Sequence, residues 1–127
     1  MPGIDACLHE IMALPGARGA AIVDWTSGLA LGTAGESPNG DHETTATETA
    51  ELARAAAEYE AFEAGDSKGP PVEDLIVTTR TGYHVLRFVE TTFDSSVFLH
   101  LWLDRDTGNL ALARLRLQQL AERLVLT

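Results

Sequence analysis

The sequence predicts a single α+β domain, and three of its features carry that prediction. Apolar residues recur with a helical period in three segments, near residues 4–14, 41–64 and 110–124. Between these segments lie β-branched, apolar runs joined by short turns, two in the first group and three in the second. Short turns force antiparallel pairing, and helices before, between and after the strands can cover both faces of one sheet. The expected product is one three-layer domain over residues 1–127.

Ile4 to Leu14 reads as a short helix, with Ile4, Leu8, Ile11 and Met12 on one face, Asp5 as its cap and Pro15-Gly16 as its stop. Ala17 to Asp24 (ARGAAIVD) and Leu29 to Thr33 (LALGT) form a hairpin turned at Trp25-Thr26-Ser27-Gly28, where Gly28 is free to take positive φ. Gly19, Ala20 and Ala21 have so little bulk that a helix can lie close to this strand.

The long helix is expected from Asp41 to Ala64, capped by Asp41 and stopped by Gly65, with a length of roughly 35 Å at 1.5 Å per residue. Ala46, Ala50, Ala53 and Ala57 make a stripe of small side chains that admits a second backbone at close range. Leu52, Ala56, Tyr59 and Phe62 add bulk beside it. Six glutamates, among them Glu48, Glu51 and Glu58, line the polar side against one base, Arg54, which reads as a member of an intrahelical ion pair.

After a connector at residues 65–71, Val72 to Thr79 and Tyr83 to Thr91 are the third and fourth strands, turned at Arg80-Thr81-Gly82. Val97 to Asp104 (VFLHLWLD) is almost wholly apolar, so both its faces are covered and it is an interior strand. Asn109 caps the last helix, whose apolar stripe is Leu110, Ala113, Leu117, Leu120, Ala121 and Leu124, with Arg114, Arg116 and Arg123 on its flank.

The formal charge of −10 argues against binding to nucleic acid and against direct membrane binding, because both require clustered Lys and Arg. A partner with a basic surface fits better. The single Cys7 has no disulfide mate, and no apolar run reaches the roughly 18 residues of a spanning helix, so a soluble cytoplasmic protein is expected.

Catalytic signatures are missing. There is no phosphate-binding Gly-rich loop before Lys-Ser or Lys-Thr, no dinucleotide fingerprint and no second histidine after His9-Glu10. Cys7 and His9 fall on different helix faces. His84 and His100 lie on neighbouring strands without a carboxylate or cysteine at ligand spacing, and the serines lack the context of a nucleophile elbow. No catalytic, cofactor or metal residue is assigned. Trp25, Trp102, His84 and His100 are the candidates to line a small-ligand pocket between helix and sheet, and Trp102 is expected in the core.

The ordered set GARGAAIVD (16–24), Ser27-Gly28-Leu29, the acidic Ala-rich helix and GNLALAR (108–114) before an Arg/Leu helix resembles the Roadblock / dynein light-chain family, in a bacterial member. The likeness covers nearly the whole chain, with the first turn one residue longer than the common Asp-x-x-Gly form. It implies an antiparallel sheet of order 2-1-5-4-3, the long helix on one face and the terminal helices on the other. It further implies a non-catalytic homodimer in which the long helices lie side by side and the third strands pair edge to edge. The interface residues would be Ala46, Ala50, Ala53, Ala57, Leu75, Ile76 and Val77. The implied partner is a small Ras-like GTPase docked on the helix pair, near Glu48, Glu51, Arg54 and Glu58. The alternative is a small-ligand sensor of profilin-like or PAS-like architecture.

Overall fold

A computed structural model describes residues 3–63, 65, 71–90 and 96–124. The element order is α1 (Ile4–Met12), β1 (Ala17–Asp24), β2 (Leu29–Gly35), α2 (His42–Glu58), a 3-10 turn (Glu60–Phe62), β3 (Asp74–Thr78), β4 (Gly82–Val89), β5 (Val97–Asp104) and α3 (Leu110–Arg123). All neighbouring strands pair antiparallel, in the order β2-β1-β5-β4-β3. The expected boundaries of β1 and β5 are reproduced. Expectations placed on Ala64, on residues 66–70 of the connector and on Thr91 lie outside the described residues.

Alternation of side chains divides the core in two. Ile22, Val85, Val89, Leu99, Leu101 and Leu103 face α1 and α3, where they meet Leu8, Ile11, Leu117 and Leu120. Ala21, Val23, Leu86, Phe88 and Phe98 face α2. The central strand β5 is buried along both faces, which accounts for its unbroken apolar run. At the hairpin, Gly28 has φ +78° and its N–H donates to the Asp24 carbonyl at 2.8 Å, closing the longer turn. Gly19 serves a different purpose from the one expected. A Cβ there would collide with the carbonyl oxygen of Glu36, so the position admits the strand next door rather than a helix.

Helix ends follow their local chemistry. Asn109 caps α3 by accepting from the Leu112 N–H at 3.0 Å. At α1 the N-cap is Gly3 with no side-chain bond, and Asp5 sits in the first turn instead of capping. Asp41 caps α2, accepting from the Glu43 N–H at 3.0 Å and the Thr44 hydroxyl at 2.7 Å. The far end of α2 departs from expectation. The helix stops at Glu58, Tyr59 turns extended (ψ 131°), and a 3-10 turn follows. Its 17 residues span roughly 25 Å. Glu58, Glu60 and Glu63 crowd the negative end of the helix dipole and no base occupies the last turn, which disfavours continuation.

The alanine stripe lies against the chain's own sheet. Ala46, Ala50 and Ala53 are buried over Ala21 and Val23, and Ala57 packs against the same cluster. Replacing Ala53 with Leu is expected to overpack this contact and cost roughly 1–3 kcal/mol in urea unfolding, whereas exposed Glu51→Ala should change stability by less than about 0.5 kcal/mol. Equal effects at the two positions would mean that the helix presents a different face to the sheet.

Candidate functional site

The surface that stands out lies beside α2, where the helix leaves part of the sheet uncovered. At 100° per residue α2 carries three stripes. The alanines meet the sheet. Thr45, Thr49 and Leu52 turn toward β3 and β4, and Glu51 and Glu58 point away from the protein and are exposed. Between α2 and the β3–β4 hairpin runs an open groove of about 390 Å³, bounded by Thr45, Glu48, Thr49 and Leu52 on the helix and by Val77, Thr79, His84 and Leu86 on the strands.

The groove opens beside a free sheet edge. Among the described residues β3 pairs with β4 and with no other strand. Val77 is 40% exposed on the α2 face and Ile76 is 36% exposed on the other, while Leu75 is partly covered by the α2-side cluster. Asp74 anchors the start of this strand to α3 through a two-point ion pair with Arg114, at 2.9 and 3.3 Å. Such a row of unpaired backbone groups, flanked by apolar side chains, is a template for another strand.

The expected interface residues therefore separate into two sets. Ala46, Ala50 and Ala53 are covered by the chain's own sheet, and Ala57 is half-buried beside the same cluster. Leu75, Ile76 and Val77 lie on the open edge. Exposed Leu52, Tyr59 and Phe62 were not assigned, although the same helical period that picked out the alanines places Leu52 and Tyr59 on one face. Of the partner-binding set, Glu51 and Glu58 are outward and Glu48 borders the groove. Arg54 does not form the intrahelical ion pair expected of it: it donates to the Trp25 carbonyl at 2.7 Å, tying α2 to the first hairpin.

Three of the four suggested pocket residues come together. His84 Nδ1 and His100 Nε2 are 3.0 Å apart with stacked rings, His84 stacks parallel to Trp102, and the Arg18 guanidinium sits 3.9 Å from the centre of the Trp102 ring. His84 borders the groove. His100 and Trp102 border a crevice of about 10 Å³, too small for a ligand. Trp25 packs against the cluster under α2, away from them. Elsewhere, burial pushes the Cys7 thiol up to about 11, with Glu10 adding to it, so it stays protonated. Among the described residues no three His, Cys, Asp or Glu side chains gather in a way that could hold a metal ion.

His100 is only 3% exposed, and burial, reinforced by His84, lowers its pKa from the ordinary 6.5 to about 3. Between those values the unfolded chain takes up a proton that the folded chain refuses. This contribution to stability is complete above about pH 6.5 and is lost as pH falls toward 3, at up to about 1.4 kcal/mol per pH unit. Urea unfolding of the wild type and His100→Leu between pH 7 and 4.5 should show the wild type losing stability more steeply. Parallel curves would refute the assignment.

No protein-family model and no curated protein matches the sequence. Solved structures do match. MglB of Myxococcus xanthus superposes with a TM-score of 0.76 at 22% identity, over 94% of this chain and 82% of that one. A Roadblock/LC7 domain from Streptomyces avermitilis gives 0.73 at 16% identity, over 95% and 93%, and the gliding protein MglB of Thermus thermophilus gives 0.73 at 19%, over 95% and 84%. The superpositions extend over nearly the full chain: the protein has the Roadblock/LC7 fold.

Proposed function

We propose that this chain is a non-catalytic, homodimeric adaptor that regulates a small Ras-like GTPase in the cytoplasm, with the GTPase docked on the paired α2 helices. The observation that carries the reading is the unpaired β3 edge with Ile76 and Val77 in solvent, adjoining the apolar side of α2 at Leu52. A second copy, pairing β3 with β3, satisfies the free backbone groups and continues the sheet to ten strands. The Roadblock/LC7 fold is the one that the sequence resemblance implies, and it is that resemblance which suggests the same assembly and the GTPase partner. In addition, no helix among the described residues is long and apolar enough to cross a membrane.

Glu51 and Glu58 of both copies then form an acidic platform facing away from the sheets. On a chain of charge −10 this platform steers a basic partner surface and raises its rate of association. The adaptor contributes docking, not an arginine to the reacting phosphate, because Arg54 is held by the Trp25 carbonyl. The small-ligand sensor is the second reading, and the volume of the groove favours it. The two part on assembly: dimerisation covers the groove, whereas a sensor keeps it open in its working state.

Sedimentation at micromolar concentration should find a dimer, and Val77→Lys should shift it to monomer by placing a charge in the strand-to-strand contact. Binding to a GTP-loaded Ras-like GTPase from the same organism should weaken at least about tenfold in the dimeric Glu51→Lys/Glu58→Lys variant, and the loss should shrink at high salt. A monomeric wild type removes the homodimer reading. Unchanged affinity in the charge-reversed dimer removes the platform.

A further inference from the structure

Two parts of the described chain are complementary, and the second does not line the first within one molecule. One is the groove between α2 and β3. The other is the aromatic pair at the end of α2, Tyr59 and Phe62, which are 58% and 50% exposed with ring centroids 6.2 Å apart. Pairs of large aromatic rings left in water are unusual on a monomer surface and mark contact sites.

Symmetry brings the two together. A two-fold axis that pairs β3 antiparallel with its mate, and runs normal to the sheet, also sets the two α2 helices antiparallel. The groove lies beside the N-terminal half of α2 and the Val77 end of β3. Ala57 and Leu75, from the C-terminal half of α2 and the start of β3, share the α2-side cluster. In the antiparallel arrangement the Val77 end of one copy adjoins the Leu75 end of the other. The C-terminal half of the mate's α2, with its aromatic pair, therefore arrives at the mouth of the groove.

We propose that Tyr59 and Phe62 of one copy fill the groove between α2 and β3 of the other, so that each groove is completed only in the dimer. The chemistry of the two surfaces agrees. Leu52 and Val77 supply apolar wall for a phenyl ring, and Thr45, Thr49, Thr79 and His84 supply donors and acceptors for the tyrosine hydroxyl. The break after Glu58 has a purpose here, since it holds both rings on one short turn. This inference rests on the homodimer reading and adds residues that the edge pairing alone does not need.

The test is the dissociation constant of the full chain by analytical ultracentrifugation, for wild type and Tyr59→Ala/Phe62→Ala. Both side chains are exposed, so the variant should keep the wild-type circular dichroism and dissociate at a concentration at least about 100-fold higher. A second measurement leaves the aromatics in place. Glu48→Cys/Ala61→Cys puts two thiols roughly 20 Å apart along one chain, too far for an internal disulfide, and native Cys7 is buried. Oxidation should give a covalent dimer across the symmetric contact. A monomeric wild type overturns the homodimer reading and this inference with it. A dimeric wild type that keeps its dissociation constant without the aromatics, or whose cysteine variant stays uncrosslinked, overturns the groove assignment alone.

Discussion

The close seat of α2 on the sheet through alanine is the contact on which the remaining features of the surface depend. Ala46, Ala50, Ala53 and Ala56 are all nearly inaccessible, and side chains this small bring the helix backbone near the strands. A helix held by alanines also covers a narrow strip of sheet. It lies over β1 and β2 and reaches β4 and β5 through Leu86, Phe88 and Phe98, which leaves a trough toward β3. Larger side chains in the stripe would lift the helix and widen its cover. The exposed edge, the groove and the bare face of Leu52 all follow from one choice of residue size.

Much of the fold was legible because it is written in periods that the structure obeys. β5 could be bounded from its unbroken apolarity, β1 from the hairpin turn at Gly28, and α3 from Asn109 and its leucine stripe. What escaped had a nonlocal cause. Helix propensity carried α2 past Glu58, but the accumulated charge at its negative end and the packing of its last turn decide where it stops. The sequence marks the alanine stripe as a contact without saying which backbone it touches. Arg54, surrounded by glutamates in sequence, bonds instead to a carbonyl 29 residues away. The candidate site was least legible for the same reason: a groove exists only between elements, and Tyr59 and Phe62 acquire significance from what the fold leaves uncovered.

The histidine pair shows how β5 tolerates a polar residue in its interior. Register places Leu86 opposite His100 and His84 opposite Trp102, so the two imidazoles are diagonal neighbours on one face. One ring donates and the other accepts across 3.0 Å, which gives the buried His100 Nε2 a partner, and burial lowers the pKa of both rings. The stack continues through Trp102 to Arg18, whose charge is shared with Glu36 at 3.6 Å. Polarity therefore grades outward along the row, from a dry imidazole to a solvated ion pair.

In the proposed dimer, charge explains why assembly of such a chain would have to run through apolar contact. Each copy carries −10, and bringing two together concentrates that charge, a cost that strand pairing alone offsets poorly in water. α2 separates the opposing demands by rotation about its axis. The stripe containing Thr49 and Leu52 can be covered while the one containing Glu51 and Glu58 stays solvated more than about 100° away. Repulsion between copies is thus confined to side chains with access to water and salt, where it is screened, and attraction to side chains that lose that access. In the proposed dimer the same division would leave the acidic stripes on the outer surface, open to a third protein. An ordinary two-faced amphipathic helix would have had to give up one of these contacts.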